Sequence, residues 1–301
     1  MGNQIKILVT GVGGYIGSRA CSYLSTHGFD VVGLMRQDAD FGDKDRMAEI
    51  LNDTQPDVVL HTAGVTPHTH VNDGDYSKVN FEGSKNLLNA LLSSGLTRGS
   101  SRNQKDSPIK SGNDSVRFIN CSTIGVYGVP LNDGVVHEDD VCTPLSPYAQ
   151  SKHDFEKYLS GSDISHVNVR IANIPGRDAF INYVADNNAV NFYGDEPYIR
   201  DYIHLDDLNN LFQKSIGYLI DNGESITVNA GAGVGYCFPD IVDEIESQMG
   251  TPITRNHHPT RPNDVVKIIC DIQRAKNVLG WMPQQTDLKE IIKYALHNRQ
   301  L

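Results

Sequence analysis

A glycine-rich turn near the start of the chain, within IKILVTGVGGYIG, leaves few folds open. Its apolar first half predicts a strand, and the amphipathic pattern after it predicts a helix. A strand that enters a helix through glycines leaves backbone N–H groups at the helix N-terminus, where the partial positive charge suits a pyrophosphate. Gly11 permits the tight turn, Gly14 the close approach of phosphate, and Gly17 close helix packing. We therefore predict a dinucleotide site that also includes Tyr15 and Ile16; a strand–helix turn without a ligand is the alternative.

The end of the second predicted strand, DVVGLMRQ, bears on which dinucleotide is bound. Folds that bind NAD usually place a carboxylate there for the two ribose hydroxyls. Here that position is Met35, and Arg36 follows it. A guanidinium can bind the 2′-phosphate of NADP through two hydrogen bonds, so Arg36 favours NADP(H). Asp38 lies close enough in the sequence to keep NAD(H) open.

Composition narrows the possible partners. The 301 residues are enough for one large α/β unit or two smaller domains. The net charge of −11 argues against a nucleic-acid-binding surface or a basic membrane-binding face. No apolar run reaches the length of a membrane span, and the five cysteines are widely spaced without a CxxC pair. We expect a cytoplasmic protein with reduced thiols, no bound metal and a small-molecule substrate.

Short apolar runs recur at residues 57–61, 116–121, 167–172 and 226–230, with helical segments between them. Such alternation is typical of a parallel sheet covered by helices on both faces. We therefore predict an α/β fold with a doubly wound parallel sheet of the Rossmann type, whose sites lie at the carboxyl ends of the strands. The polar segment 93–115 interrupts the pattern and predicts a surface loop, with a partner-docking loop as the alternative.

The stretch SPYAQSK sets Tyr148 four residues before Lys152, just behind a proline. On a helix these two side chains lie on one face, so they would project together. A cation beside a phenol favours its ionised form, but a solvated surface pair is the more frequent result of such spacing. The spacing therefore indicates a functional pair only in combination with other motifs.

Nine motifs, taken in order, resemble the extended short-chain dehydrogenase/reductase family, which includes NAD(P)-dependent sugar epimerases, dehydratases and reductases. They run from about residue 5 to residue 283 and are TGVGGYIG, FGDKD, PDVVLHTAG, VNFEGSKNLL, CSTIGVYG, PLSPYAQSK, RDYIHLDDL, RPND and LGWMP. The resemblance implies an NAD(P)-binding Rossmann domain over residues 1–172, to which roughly residues 200–230 return. It implies a smaller substrate-binding domain over residues 173–301.

The resemblance also assigns cofactor contacts to matching positions. Asp43 matches the residue that usually contacts the adenine, and Ala63 and Gly64 match a loop that passes close to the cofactor. Asn80 matches a structural position near it. Beyond the glycine turn and Arg36, the implied cofactor-binding set is Asp43, Ala63, Gly64, Asn80, Ser122, Tyr148 and Lys152.

The implied catalytic set is Thr123, Tyr148 and Lys152. Thr123 stands four residues before Tyr127, where the family places its catalytic serine or threonine, and Ser122 is a weaker candidate. A hydride that moves between a nicotinamide and a carbonyl needs a proton to move on the oxygen at the same time. Tyr148 would move that proton, Thr123 would hydrogen-bond the same oxygen, and Lys152 would hold the nicotinamide ribose. A cation at ~5 Å in an effective dielectric of ~20 contributes about 3 kcal/mol, so we expect Lys152 to lower the pKa of Tyr148 by about 2.

Two departures from the family motifs narrow the reaction. Ile124 and Gly125 follow Thr123, so the acid–base pair of the dehydratases and the cysteine of the epimerase–reductases are both missing. With Arg36 favouring NADP, the resemblance favours NADP(H)-dependent reduction of a keto-sugar, expected to be nucleotide-linked. The alternative enzyme is an NAD-dependent sugar 4-epimerase, or a sugar or uronate dehydrogenase. A non-catalytic NADP-sensing protein is the alternative from another class.

The implied substrate contacts are Thr123 and three residues of the last part of the chain. Arg200 and Arg261 match family arginines that pair with the diphosphate of a nucleotide sugar, a task suited to bidentate guanidinium groups. Asn173, directly after a predicted strand, joins them. The segment between Asn173 and Arg200 is shorter than in typical sugar epimerases, so a substrate smaller than a nucleotide sugar stays open. In this family, two helices of each subunit commonly pack against the same helices of a second copy, so the resemblance also implies a homodimer.

Overall fold

The computed structural model describes residues 4–38, 41–67, 72–94, 96, 115–261 and 264–299. Within these ranges the strands are β1 (Lys6–Thr10), β2 (Asp30–Leu34), β3 (Val58–His61), β4 (Arg117–Thr123), β5 (Val135–Val136), β6 (His166–Ile171), β7 (Ala189–Tyr193), β8 (Ile199–Arg200), β9 (Ile226–Ala230), β10 (Tyr236–Cys237), β11 (Thr254–His258) and β12 (Lys267–Cys270). The helices are α1 (Tyr15–Thr26), α2 (Lys44–Thr54), α3 (Asp73–Tyr76), α4 (Ser84–Ser93), α5 (Pro147–Ser160), α6 (Ala179–Asn187), α7 (Leu205–Asn222), α8 (Phe238–Met249), α9 (Gln273–Leu279) and α10 (Leu288–Asn298). A π-helical turn, Ser77–Gly83, joins α3 to α4, and 3₁₀ turns span Ile124–Tyr127 and Pro175–Arg177.

Each helix in the described part of the chain is too short or too polar to cross a membrane.

The chain divides into two compact units. The first unit comprises Met1–Ser122, Ser146–Val169 and Phe212–Thr227, and the second comprises Thr123–Leu145, Arg170–Leu211 and Val228–Leu301. This division differs from the boundaries drawn from the sequence, because residues 123–145 belong to the second unit and only residues 212–227 return to the first. The predicted surface loop at 93–115 lies mostly outside the described residues.

A six-stranded sheet has the order β2-β1-β3-β4-β6-β9. Within it, β1 pairs in parallel with β2 and β3, and β3 pairs in parallel with β4. The middle residues of β1 are fully buried, and Leu8 belongs to a core with side chains of α2, α4 and α5. Burial on both faces explains the continuous apolar runs in the sequence. The predicted α/β class, with a parallel Rossmann-type sheet, is confirmed.

The second unit has its own core, built from α6, α8 and α10. Isoleucines form much of it, including Ile181, Ile241, Ile245, Ile291 and Ile292, all fully buried. A four-stranded sheet of order β10-β8-β12-β5 and a parallel pair, β11 with β7, complete the strand pairing described for this unit. The unit therefore carries an independent hydrophobic core of the kind that defines a domain.

The carboxylate of Asp201 organises strand ends within the second unit. It is fully buried and accepts hydrogen bonds from the backbone N–H groups of Ala232 (2.8 Å), Gly233 (3.1 Å) and Cys270 (3.0 Å). Gly231 has no room for a side chain, because a Cβ there would collide with Asp201 Oδ2. Burial raises the pKa of Asp201 to about 7, and the backbone N–H donors oppose that rise. The side chain thus ties the loop after β9 to the end of β12.

Replacing Asp201 by Asn should destabilise the second unit. An amide has one acceptor oxygen, and its NH2 group would face backbone N–H donors, so at least one buried donor would lose its acceptor. Such a loss costs about 1–3 kcal/mol. Urea unfolding followed by circular dichroism should show this decrease for D201N, whereas Asp195→Asn, at an exposed loop position, should change stability by less than about 0.5 kcal/mol. Equal stability of D201N and the parent protein would contradict the structural role of Asp201.

Candidate active site

The glycine turn between β1 and α1 is too tightly packed for side chains at two positions. Gly11 has a φ of 77°, and a Cβ there would lie 2.7 Å from Ala63 Cα. A Cβ at Gly17 would lie 2.5 Å from Thr62 Oγ1 and would collide with the Gly11 carbonyl. Both glycines are therefore required by the close approach of α1 and of the loop after β3 to the turn.

The N-terminus of α1 is not capped by a side chain. Gly14 is the N-cap residue and has no side chain with which to cap the helix. Its own N–H donates to the Gly11 carbonyl over 2.9 Å. Tyr15 and Ile16 form the first turn, where helix amides carry a partial positive charge.

The segment between β2 and α2 contains the residues predicted to contact the adenosine of the dinucleotide. Asp38 closes this turn, because its carboxylate accepts from the Met35 N–H (2.7 Å) and its own N–H donates to the Met35 carbonyl (3.0 Å). Arg36 is exposed in the same turn. Asp43 is the N-cap of α2, where its carboxylate accepts from the Arg46 N–H (3.0 Å). Asp38 and Asp43 therefore have local structural roles that their motifs did not indicate.

Asn80 joins the loop after β3 to helix α5. Its side-chain oxygen accepts from the Val65 N–H (2.8 Å), and its amide group donates to the Val65 carbonyl (2.9 Å) and to Ser151 Oγ (3.2 Å). Ser151 Oγ donates in turn to the Tyr148 carbonyl (2.7 Å). Asn80 is buried within the π-helical turn, a distortion that is frequent at functional sites. Asn80 therefore connects the loop after β3 to helix α5.

A buried chain of hydrogen bonds runs through His61, which the sequence motifs did not single out as a site residue. His61 Nδ1 lies 2.8 Å from Thr10 Oγ1, and its Nε2 lies 2.8 Å from Ser84 Oγ. Because Ser84 Oγ donates to the Asn80 carbonyl (2.6 Å), its oxygen accepts from the Nε2–H of His61. Burial, with the charge of Lys152, lowers the pKa of His61 to about 3, so the ring stays neutral. In the sequence, the feature that could have indicated a role for His61 is its position as a polar residue at the end of an otherwise apolar strand.

Helix α5 presents Tyr148 and Lys152, as their spacing predicts. The helix begins with a proline after the N-cap Ser146, whose side chain accepts from the backbone N–H of Ala149. Lys152 is buried, and its Nζ donates to the Cys121 carbonyl over 2.9 Å. The loop after β3 passes close to this ammonium group, because a Cβ on the loop residue at position 64 would lie 3.4 Å from Nζ. Gly64 and Lys152, predicted from separate motifs, are therefore neighbours.

The environment of the Tyr148 phenol differs from the expectation. Its ring packs edge-on against Tyr76, with 5.8 Å between the ring centroids. Burial raises the pKa of Tyr148 above its ordinary value, and the Cys121 and Tyr76 side chains raise it further. The predicted lowering by Lys152 is wrong for this structure, because Lys152 directs its Nζ to the Cys121 carbonyl while burial removes water from the phenol.

The end of β4 carries the two hydroxyl residues of the CSTIGVYG motif. Ser122 is 3% exposed, and its hydroxyl makes no hydrogen bond with any residue that the structure describes. Buried hydroxyls are normally paired, so this one is suited to contact a ligand. Thr123 is assigned to the second unit, and its Oγ1 accepts from the Gly125 N–H (3.1 Å) to cap the following 3₁₀ turn.

The candidate substrate residues Asn173 and Arg200 both contact backbone carbonyls of the second unit. The Asn173 side-chain amide donates to the Asp201 carbonyl over 3.2 Å. The Arg200 guanidinium donates over 2.6–3.0 Å to the carbonyls of Ile199, Val265 and Val266. These bonds account for three of the five N–H donors of a guanidinium, so the side chain has a structural role whatever else it binds.

Arg261 lies over an aromatic ring of the second unit. Its guanidinium carbon is 3.4 Å from the centroid of the Tyr193 ring. Tyr198 Oη donates to Asp264 Oδ2 (2.6 Å), and burial and that bond raise the pKa of Tyr198, whereas the charges of Arg261 and Arg200 lower it. Both predicted arginines therefore act on one phenol, which places two positive charges in the same part of this unit.

The family model for the NAD dependent epimerase/dehydratase family matches residues 7–231. This match covers more than half of the chain, and the Rossmann-type sheet and glycine turn agree with it. The chain belongs to this family of enzymes, which is of the extended short-chain dehydrogenase/reductase type, as the motifs indicated.

Similar proteins extend the match to almost the whole chain. A UDP-glucose 4-epimerase from Azospirillum brasilense is 27% identical, over 97% of this chain and 91% of that protein. A GDP-6-deoxy-D-talose 4-dehydrogenase from Aggregatibacter actinomycetemcomitans is 26% identical, over 99% of both chains. The solved UDP-glucose 4-epimerase of Stenotrophomonas maltophila, with bound NAD and formylated UDP-arabinopyranose, has a TM-score of 0.81 at 23% identity, over 99% of this chain and 98% of that one. At this identity the structural likeness establishes the fold.

Replacing Gly17 by Ala should destabilise the first unit, whereas replacing Gly13 should not. A Cβ at Gly17 has no space, but a Cβ at Gly13, in the same turn, meets no atom within 4 Å. Overpacking costs about 1–3 kcal/mol, which corresponds to a fall of roughly 2–10 °C in Tm. Thermal denaturation without added ligand should separate the two variants. If G17A melts at the temperature of G13A, the turn is not packed as described.

Proposed function

We propose that this protein is an NAD-dependent 4-epimerase of a UDP-linked hexose. The observation that carries the proposal is the neighbourhood of Lys152, which lies one helical turn after Tyr148 and beside the loop at Gly64. A phenol that can exchange a proton, one helical turn from a lysine in a dinucleotide-binding fold, suits the oxidation of a carbinol and the return of the same hydride. Such a reaction inverts the carbinol with no net redox change.

The similar proteins favour epimerisation over the keto-sugar reduction that Arg36 suggested. The relative from Azospirillum brasilense is a UDP-glucose 4-epimerase matched over 97% of this chain, and solved epimerases of this fold contain NAD. The NADP argument depended on one exposed side chain, and Asp38 stands in the same turn. The hypothesis of NADP(H)-dependent keto-sugar reduction has no comparable support.

The residues of the first unit fit a bound dinucleotide. Its glycine turn gives α1 an N-cap residue without a side chain, and the buried hydroxyl of Ser122 supplies a hydrogen-bonding group next to the Cys121 carbonyl that accepts from Lys152. The residues proposed to hold NAD are Gly11, Gly14, Tyr15, Ile16, Gly17, Asp38, Asp43, Ala63, Gly64, Asn80, Ser122 and Lys152.

Each side chain of the proposed catalytic set has a distinct task. Bound NAD would supply hydride acceptance and return, which amino-acid side chains cannot provide. Tyr148 Oη would accept the proton of the C4 hydroxyl as the carbonyl forms, and would give it back when the carbonyl is reduced from its other face. Thr123 would hydrogen-bond the same oxygen. Lys152 would hold the ribose hydroxyls, one helical turn from the phenol.

The second unit would hold the nucleotide sugar. Arg200 and Arg261 would pair with the diphosphate, for which guanidinium groups are well suited, and Asn173 would contact the sugar. Their shared effect on Tyr198 supports a common binding region for the two arginines. A homodimer formed through α4 and α5 is retained from the family resemblance as part of this proposal.

Replacing Tyr148 by Phe should abolish turnover while leaving NAD binding unchanged. Loss of a proton-transfer group lowers kcat by about 10²–10⁴. The conversion of UDP-galactose into UDP-glucose, followed by chromatography, measures turnover, and calorimetry measures NAD binding. Tyr158→Phe is the matched control, because this tyrosine lies on the same helix and its hydroxyl donates to Asn89 (2.8 Å). Turnover by Y148F comparable to that of Y158F would contradict the proposed mechanism.

The unmodified protein should bind NAD more tightly than NADP. Arg36→Ala should then leave NAD affinity within about twofold, because an exposed guanidinium contributes little to binding a ribose that carries no phosphate. Calorimetric titration with each dinucleotide makes the comparison. Tighter binding of NADP that disappears in R36A would restore the reductase hypothesis.

A net sugar dehydrogenase is the second candidate, because the GDP-6-deoxy-D-talose 4-dehydrogenase relative covers 99% of both chains. The two candidates differ in redox balance. An epimerase leaves NAD unchanged at the end of each turnover, whereas a dehydrogenase accumulates NADH, which absorbs at ~340 nm. A steady rise in that absorbance with a nucleotide sugar and NAD would favour the dehydrogenase.

A further inference from the structure

His61 is a buried imidazole whose two ring nitrogens join separate parts of the first unit. The residue is 1% exposed. Three aromatic rings pack against it with 5.6–5.9 Å between centroids, those of Phe41, Phe118 and Phe155. Because these apolar walls replace water, the two nitrogens depend on protein groups for their hydrogen bonds. Within the described residues, Nδ1 is bonded to Thr10 Oγ1 and Nε2 to Ser84 Oγ, both at 2.8 Å.

These hydrogen bonds define the tautomer of His61. The Ser84 hydroxyl has a single hydrogen, which it donates to the Asn80 carbonyl over 2.6 Å. Ser84 can therefore only accept from the ring, so the ring hydrogen lies on Nε2. In the neutral imidazole Nδ1 then has no hydrogen, and it accepts from the Thr10 hydroxyl. The chain of hydrogen bonds thus runs in one direction, from Thr10 through the imidazole to Ser84 and Asn80.

The Thr10 arm, which consists of Thr10 Oγ1 and His61 Nδ1, ends at the dinucleotide turn. Thr10 is the last residue of β1 and directly precedes Gly11. Its Oγ1 also accepts from the Ala63 N–H (3.4 Å), and its carbonyl accepts from the Thr62 hydroxyl (2.6 Å). Loss of the Nδ1 acceptor would leave the Thr10 hydroxyl free to rotate, which would loosen the contact between the glycine turn and the loop after β3.

The Ser84 arm, which consists of His61 Nε2, Ser84 Oγ and the Asn80 carbonyl, ends at helix α5. Ser84 begins α4 directly after the π-helical turn, and its hydroxyl bonds to the carbonyl four residues earlier. The Asn80 side chain donates to Ser151 Oγ, which donates in turn to the Tyr148 carbonyl. The imidazole is therefore connected, through hydrogen bonds alone, to the first turn of α5.

We propose that His61, held as the Nε2–H tautomer, is a positioning residue that couples the dinucleotide turn to helix α5. It contacts neither cofactor nor substrate in this proposal and acts through Thr10 and Ser84. The Thr10 arm adjusts the affinity for the dinucleotide, and the Ser84 arm adjusts the placement of Tyr148. The inference rests on the proposed function for its effect on kcat, whereas the tautomer, the placement of Asn80 and NAD affinity can be measured without a sugar.

Two substitutions remove the arms one at a time. His61→Asn places an amide oxygen near the position of Nδ1, so it can accept from Thr10 but does not reach Ser84. His61→Gln places an amide NH2 group near the position of Nε2, so it can donate to Ser84 but leaves the Thr10 hydroxyl without this acceptor. Both variants lose the packing of the imidazole against the aromatic rings, so each is the control for the other's loss of stability.

The two variants should show opposite patterns. H61Q should weaken NAD binding about 2- to 10-fold in calorimetry, because one net hydrogen bond contributes roughly that factor, and H61N should weaken it less. H61N should shift the side-chain NH2 signals of Asn80 in an ¹⁵N–¹H NMR spectrum, and it should lower kcat more than H61Q does at saturating NAD. Those signals are assigned by their absence in Asn80→Asp. An imidazole that serves packing alone would affect both properties alike, so parallel losses in the two variants, or no change in either, would overturn the proposal.

The tautomer gives a second test, on the unmodified protein. A long-range ¹⁵N–¹H spectrum distinguishes the two neutral forms of a histidine, and the His61 signals are assigned by their absence in H61N. We expect the hydrogen on Nε2 and none on Nδ1 at pH 7. A hydrogen on Nδ1 would overturn the proposal, because the ring would then donate to Thr10 and could not donate to Ser84.

If neither His61 variant folds, substitutions of its partners decide. Thr10→Val keeps the branched shape without the hydroxyl and should weaken NAD binding, whereas Ser84→Ala should shift the Asn80 signals and lower kcat. Ser93→Ala is the matched control, because this serine also lies on α4 and its exposed hydroxyl donates to the carbonyl four residues earlier over 2.8 Å. Equal effects of S84A and S93A, or parental NAD affinity in T10V, would overturn the proposal.

Activity then separates this inference from the proposed function. Opposite patterns of NAD affinity and Asn80 signals, in a protein that epimerises no nucleotide sugar, would support the role of His61 and reject the proposed function. Parallel losses in an active epimerase would do the reverse.

Discussion

The buried amide of Asn80 is the interaction on which the rest of the candidate site depends. One side chain bonds both backbone groups of Val65 and the hydroxyl of Ser151, so the loop after β3 and helix α5 hold a single arrangement. An amide suits this position because it donates and accepts at once. An apolar replacement would leave buried backbone groups without partners, which is costlier than the loss of the bonds themselves. The π-helical turn that contains Asn80 is the local distortion that accompanies this placement.

Burial determines the direction of each shifted pKa around Lys152. It favours the neutral form of His61, Tyr148 and Lys152 alike, so the histidine and lysine values fall and the phenol value rises. A site with this character holds charge only where specific partners oppose burial. Lys152 has the Cys121 carbonyl as such a partner. Phenol ionisation therefore depends on positive charge placed near it, which is consistent with a reaction that proceeds only in a loaded site.

The parts of the site that could be predicted from the sequence are those with local geometry. The spacing of Gly11 and Gly17 corresponds to a turn in which both positions lack space for a Cβ, and the spacing of Tyr148 and Lys152 corresponds to one helix face. The family and the α/β sheet followed from such motifs in order. Arg36 shows the limit of such local patterns. Its identity suggested NADP, but the sequence could not show that the Asp38 carboxylate accepts from the Met35 N–H in the same turn. The predicted lowering of the Tyr148 pKa was wrong for a related reason, since spacing reveals a neighbouring cation but not the loss of water that raises this pKa.

The sequence by itself determined the strand–turn–helix unit, the placement of Tyr148 and Lys152 on one helix, and the family, because these depend on patterns within short stretches of chain. Only the tertiary structure decided how side chains distant in sequence are used. It directed Lys152 to the Cys121 carbonyl, Arg200 to the carbonyls of Val265 and Val266, and Asp201 to three backbone amides. It also brought His61 between Thr10 and Ser84. The physical reason is that a buried polar group must find its partners wherever packing places them, and packing joins segments that no local pattern connects.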